Sequence, residues 1–232
     1  MRTAFLKIVF ILLAGYSGFA QELNPDFTEK IARHDKSVYL KKQSFSESAY
    51  YFVYDLVYQR MEWKIDPAVH YISGAITSHF ISKTNGLKEI DFDLHDSLKV
   101  DSVYQRMQPV TFTHSENKLN IQLKQPLNES EIDSITVFYQ GRPPASYEGF
   151  GSFATSRRGK NPGVPVMWTL SEPYGAMEWW PCKQSLSDKI DSIDVIVTTP
   201  EAYRTASNGI LISEIANDTI RKMHWKHRHP IV

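Results

Sequence analysis

The chain has 232 residues, of which 42% are hydrophobic and 22% charged, values that fit a globular protein and exclude a disordered or collagen-like one. Basic and acidic residues both number 26, and no run of Lys or Arg breaks the balance, so the electrostatic footprint of a nucleic-acid binder is missing. The one cysteine, Cys182, excludes an intrachain disulfide and a zinc site built from several thiolates.

Residues 1–20 carry Arg2 and Lys7, then an apolar run from Ile8 to Ala14, and end on Gly18-Phe19-Ala20. A charged start, a short apolar stretch and small residues at the cleavage positions predict a secretory signal peptide. The apolar run is shorter than the roughly 20 residues that span a bilayer. The mature chain is therefore expected to be exported, periplasmic or extracellular, with no membrane attachment after cleavage. Removing Arg2 and Lys7 leaves 24 basic and 26 acidic residues.

Residues 21–47 read as a helical lead-in. Asn24-Pro25 with Asp26 and Glu29 supplies an N-cap, a first-turn proline and first-turn acids. Phe27, Ile31, His34 and Val38 follow at helical spacing, predicting one short amphipathic helix packed on the rest.

From Ser48 the period changes to two. Val57, Met61, Trp63 and Ile65 are expected on one face of a strand, with Arg60, Glu62 and Lys64 on the other. Asp66-Pro67 turns the chain, and a return strand carries Ile72, Ile76 and Phe80 on one side. After the Asn85-Gly86 turn, Ile90, Phe92 and Leu94 alternate with Glu89, Asp91 and Asp93. Further strands are predicted near residues 100–104, 110–113, 119–123, 135–139, 166–170, 193–198, 210–215 and 220–225. Breaks at about ten-residue intervals are typical of sandwiches and barrels. The stretch 141–165, rich in Gly and Pro, is expected to be a long loop that is functional or covers another domain. The apolar end, residues 230–232, has no cap or turn signal, and the predicted domain over 48–232 is expected to be C-terminally incomplete.

None of the eight histidines is followed by Glu, so the H-E-x-x-H zinc helix is absent. His224, His227 and His229 cluster loosely, but on a strand His224 opposes the other two, and exposed strand histidines are the favoured reading. Phosphate-loop, dinucleotide and nucleophile-elbow motifs are missing. Cys182, after Trp179-Trp180-Pro181, reads as a buried structural thiol. Tyr50, Tyr51, Trp179 and Trp180 could form a carbohydrate-stacking face, although aromatics on strands usually pack.

The segment Trp168-Thr169-Leu170-Ser171-Glu172-Pro173-Tyr174-Gly175-Ala176, running into Trp179-Trp180-Pro181-Cys182, resembles the N-terminal domain of the aminopeptidase N family of zinc metallopeptidases. There the stretch reads T-Q-x-E-P, then A-R, then P-C-x-D-x-P. Tyr54-Asp55-Leu56 leading to Gly74 is similar to the family's opening hairpin, and Ala206-Ser207-Asn208-Gly209 to its S-N-G turn. The resemblance covers residues 49–232 and implies a saddle of antiparallel sheets, agreeing with the strand reading. It implies that zinc and the catalytic groups lie in a following domain. It also implies that Glu172 binds the free α-amino group of a peptide substrate, a charge-assisted contact that rejects chains without a free amine. Leu170, Met177, Gln184 and Leu186 depart from the family's Gln, Arg, Asp and Pro. Gly175-Ala176-Met177-Glu178-Trp179 imitates the family's G-A-M-E-N motif, but in the wrong place and with Trp for Asn.

The expectation is an all-β saddle or sandwich of antiparallel sheets behind a signal peptide and one short helix. It would serve as the substrate-cleft domain of an exported zinc aminopeptidase, inactive without its catalytic domain. Its partners would be peptide N-termini and that domain. The alternatives are a free-standing exported binding module for carbohydrate or protein, and a degenerate family member acting by protein contact.

Overall fold

A computed structural model describes residues 25–44, 48–144, 152–171, 174–185 and 187–229. The predicted signal peptide lies outside them. The chain divides into two units, residues up to Leu40 and residues from Lys41 onward, and each is described by itself.

The first unit holds most of a 20-residue helix, α1 (Pro25–Ser44). Ion pairs at i,i+4, Asp26–Lys30 at 2.8 Å and Glu29–Arg33 at 2.5 Å, support it. Of the expected apolar face Ile31 is exposed, and the side chains of Phe27, His34 and Val38 lie outside the described residues.

Beyond the end of α1, the described residues of the second unit are mostly β, with two short 3-10 turns. Its strands in chain order are β1 (Tyr54–Lys64), β2 (Ile72–Ser82), β3 (Leu87–Asp93), β4 (Leu98–Gln105), β5 (Gln108–Pro109), β6 (Phe112–Ser115), β7 (Lys118–Leu127), β8 (Ile132–Gly141), β9 (Ala154–Arg158), β10 (Val164–Trp168), β11 (Ser192–Pro200), β12 (Ile210–Ala216) and β13 (Ile220–His227). They form an eight-stranded sheet, β12-β13-β11-β1-β2-β8-β4-β5, a three-stranded sheet, β3-β7-β6, and the hairpin β10-β9. Every pairing is antiparallel except β1 with β11, which run parallel. Residues far apart in sequence thereby meet at the centre of the large sheet.

One core joins the two larger sheets. Leu56, Ile76, Phe80, Ile135 and Val137 of the large sheet pack in one cluster with Ile90, Phe92, Leu119 and Ile121 of the small one. Tyr54 meets Phe80 and Phe92 edge-on, at 5.8 and 6.3 Å between ring centroids, a favoured aromatic geometry.

Ile72, Ile76 and Phe80 are fully buried on one side of β2, as their spacing predicts. Three expectations change. A register shift between Leu56 and Tyr58 bulges β1 at Val57, so Tyr54, Leu56, Gln59, Met61 and Trp63 are buried while Val57 is only half-buried. The extra residue moves everything before it to the opposite parity. In β3 the alternation fails as an inside-outside code: Asp91 and Asp93 are buried like Ile90 and Phe92, because each face of β3 is covered. The long Gly- and Pro-rich loop contains the β9–β10 hairpin, paired from Arg158↔Val164 to Ala154↔Trp168; Gly149-Phe150-Gly151 lie outside the described residues.

Candidate functional site

The stretch that carries the family resemblance, residues 168–185, is fastened to the β body at successive points. β10 ends at Trp168, opposite Ala154. The Leu170 N–H then donates to the Ser152 carbonyl at 3.3 Å, and the Gly175 N–H to the Ser171 carbonyl at 2.8 Å. Tyr174 takes a positive φ of 64°. A Cβ on Gly175 would sit 2.0 Å from Ser152 Oγ and 3.1 Å from the Ser171 carbonyl oxygen, so a larger residue would require the Ser152 hydroxyl to turn away. Ala176–Glu178 form a 3-10 turn, and its Met177 carbonyl accepts from the His95 N–H at 2.8 Å.

Trp179 anchors the middle. Its indole N–H donates to Ser171 Oγ at 3.0 Å, and its ring lies 4.9 Å from Trp63 and 6.2 Å from Phe153. Trp180 stands edge-on to it at 4.2 Å. Both indoles pack against the core, and Tyr51 is buried with its hydroxyl donating to Asp93. Tyr50 donates to Glu89. Tyr51, Trp179 and Trp180 are therefore packing residues, and the half-buried Tyr50 is tied to Glu89, so the four do not form one exposed stacking platform. The imitation G-A-M-E motif is spent on this turn, with Trp179 packed against the core.

Cys182 closes the stretch by a β-bridge to Asp93. The thiol is buried and unpaired by disulfide, and burial pushes its pKa well up, the inert structural environment expected. Lys183, which the sequence reading did not single out, has a fully buried side chain. Its ammonium donates to the Tyr54 carbonyl at 2.8 Å and to Asp188, and stands 4.3 Å from the Tyr54 ring centroid. Burial holds its pKa below the usual lysine range against the pull of Asp188, and burial raises Asp188 in turn. Asp93 beside it is raised by burial, against the opposing hydrogen bond from Lys118. Nothing in the residue pattern marks Lys183 as buried; its place beside a buried Pro-Cys pair is the only signal.

Two departures from the family pattern meet in space. Gln184 Oε1 accepts from the Met177 N–H at 3.4 Å, and Gln184 Nε2 lies 3.3 Å from Met177 Sδ. A neutral pair thus stands where the resemblance implies an Arg and an Asp. Glu172 itself, with Pro173 and Leu186, lies outside the described residues; its flanks, Leu170-Ser171 and Tyr174-Gly175, are the fastened residues above.

The histidine cluster does not assemble. His224 Nε2 is 2.7 Å from Asp194 Oδ1, and Asp194 also accepts from Tyr58 and Lys226, at 2.5 and 3.4 Å. His227 and His229 face each other at 5.9 Å between ring centroids. His224 and His227 are half-buried, not exposed as expected. Among the described residues no group of three His, Cys, Asp or Glu side chains could hold a metal ion.

The hairpin beside the stretch is a feature the sequence reading passed over. From residue 149 to residue 171 the chain carries Arg157, Arg158 and Lys160 and no acidic residue. That run of one sign was the signal available.

No family model matches the sequence, and no curated protein matches it either. Solved structures do share its fold. The M1 zinc metallopeptidase from Deinococcus radiodurans is 21% identical with a TM-score of 0.66, over 77% of this chain and 40% of that one. Yeast LTA4 hydrolase in complex with bestatin is 16% identical with a TM-score of 0.61, over 84% of this chain and 31% of that one. The likeness shows the fold alone, the arrangement of β sheets described above, and the chain spans 40% of the length of the first of these structures.

Proposed function

We propose that this chain is the N-terminal substrate-cleft domain of an exported zinc aminopeptidase, and that Glu172 receives the free α-amino group of the peptide. The observation that carries the reading is the fastening of residues 168–185. The bridge to Asp93, the packing of Trp179 and the bond from Leu170 to Ser152 hold the flanks of Glu172 to a rigid sheet, which is what a positioning carboxylate requires. The fold shared with M1 zinc metallopeptidases supports the same reading.

In this proposal zinc is held by a following catalytic domain, as the family resemblance implies. What the chain would contribute is recognition. A carboxylate facing an ammonium makes a charge-assisted hydrogen bond, fixes the distance from the chain end to the scissile bond, and discriminates against blocked N-termini. The packed aromatics argue against the stand-alone carbohydrate module, whose stacking face they would have supplied.

The test is Glu172→Ala in the full-length protein, assayed on aminoacyl reporter substrates. The expected loss in kcat/KM is about 1.5–3 kcal/mol, roughly 10- to 200-fold; an unchanged value removes Glu172 from the site. An open reading frame with H-E-x-x-H downstream of codon 232 supports the whole assignment, and a stop codon there overturns it.

A further inference from the structure

We infer that Met107, at the tip of the β4–β5 turn, is a reversible oxidation site: a hydroperoxide converts its thioether to the sulfoxide, while the other described methionines and the fold are spared. Neither Glu172 nor a following domain enters this inference, which goes beyond the aminopeptidase reading.

Arg106 and Met107 connect two paired strands. Tyr104 lies opposite Pro109 and Gln105 opposite Gln108, which leaves these two residues for the turn. Both have positive φ, 45° at Arg106 and 68° at Met107, the pattern of the tight hairpin turn that favours Asn and Gly. Arg and Met seldom adopt it, so neighbouring groups must hold it. The Arg106 Nε donates to Asp133 Oδ1 and a terminal guanidinium nitrogen to the Ile132 carbonyl, both at 2.8 Å. The Arg106 backbone N–H donates to the Ser134 carbonyl at 3.3 Å. Asp133 is buried, and its Oδ2 also accepts from Gln105 at 2.6 Å. The turn is thereby pinned to β8, and the side chain it presents is Met107, 92% exposed.

The other described methionines are shielded. Met61 and Met223 are 4% and 2% exposed, and Met223 Sδ accepts from the Thr205 N–H at 3.2 Å. Met177 Sδ lies 3.3 Å from Gln184 Nε2, and Met167 packs against the core. An oxidant reaches an exposed thioether directly, but reaches a buried one only when the fold opens locally.

In the reaction a sulfur lone pair attacks the outer oxygen of the hydroperoxide. An S–O bond forms as the O–O bond breaks, and the departing oxygen takes the proton. Sulfur is oxidised by two electrons, and the hydroperoxide is reduced to an alcohol, or hydrogen peroxide to water. The product is polar and disrupts a core; at Met61 or Met223 it would need room and a hydrogen-bond partner. At Met107 it meets solvent, and the groups that pin the turn belong to Arg106 and the backbone, so the tip keeps its conformation. Methionine sulfoxide reductases, one for each epimer, reverse the change.

The test treats the full-length protein with graded hydrogen peroxide and assigns each added oxygen by peptide mass spectrometry. Met107 is expected to gain oxygen about tenfold faster than each of Met61, Met167, Met177 and Met223. The two reductases together should return the Met107 peptide to its starting mass. After the same dose, wild type and Met107→Leu should unfold at the same urea midpoint. An unmodified Met107, or any of the other four oxidised as fast, overturns the site. A Met107 peptide that the reductases leave oxidised overturns its reversibility. A lower midpoint in treated wild type than in treated Met107→Leu overturns the sparing of the fold.

Discussion

The indole N–H of Trp63 donates to the hydroxyl of Tyr139 at 2.8 Å, and the two rings meet over the one residue of β2 that has no side chain. Gly74 pairs with both of them across the sheet. Tyr139 in turn donates to the Trp179 carbonyl, so this contact links the opening hairpin to the stretch that flanks Glu172. The glycine that carried the resemblance at the hairpin thus has a steric reason.

A Cβ at Gly74 would lie 2.8 Å from both Trp63 Cδ1 and Tyr139 Cε1. These are ring atoms in a full core, with little room to retreat. Gly74→Ala is expected to destabilise the chain by about 1–3 kcal/mol, the usual cost of overpacking. Urea unfolding measures it, and Gly74→Ala in a Trp63→Phe background should cost less, because the smaller ring yields space. Equal costs in the two backgrounds would place the strain elsewhere.

The sequence made the strands legible where one face is buried and the other wet. Ile72, Ile76 and Phe80 are the clearest case, since β2 alternates along its whole length. The Val57 bulge was illegible because an inserted residue leaves hydrophobicity unchanged while reversing parity. The burial of Asp91 and Asp93 was illegible because it depends on what covers β3. Tyr51, Lys118 and Gln184 come to Asp93 from 42, 25 and 91 residues away. The parallel pairing of β1 with β11 is non-local in the same way. At the site, the motif showed which stretch matters, and the fold supplied the fastenings on both sides of Glu172.

Lys183 is a charged group committed to the interior. Its ammonium satisfies the Tyr54 carbonyl and pairs with Asp188, whose side chain is 11% exposed. Lys183→Met should strand that carboxylate and cost about 3 kcal/mol, the lower end for breaking a buried pair, since Asp188 keeps some access to water. Lys183→Met with Asp188→Leu should recover roughly half of the loss. Urea midpoints of the single and double variants decide it. A double variant no more stable than Lys183→Met would mean that the lysine acts through the Tyr54 carbonyl and the Tyr51 and Tyr54 rings, not through Asp188.

Asp91 offers a pH test with a defined sign. Its Oδ2 accepts from Ser48 Oγ at 2.5 Å, while Oδ1 is buried without a hydrogen-bond partner. Burial raises its pKa, and the Ser48 bond and the fields of Lys118 and Lys183 offset this only in part. The folded state therefore binds the Asp91 proton more tightly than the unfolded chain, whose carboxyl titrates near 3.9. Between that pH and the raised folded value, the folded state holds more protons, so this group's contribution falls as pH rises. Above the window both states are ionised and the full cost of the buried carboxylate is felt; below it the cost vanishes. Asp91→Asn removes the titration, and any hydrogen bond lost by the amide is a constant offset. The stability gap between variant and wild type should shift in the variant's favour as pH rises from about 4 toward neutrality, read as urea midpoints at several pH values. A flat gap, or one that moves the other way, would mean that the Ser48 hydrogen bond, not burial, governs this carboxyl.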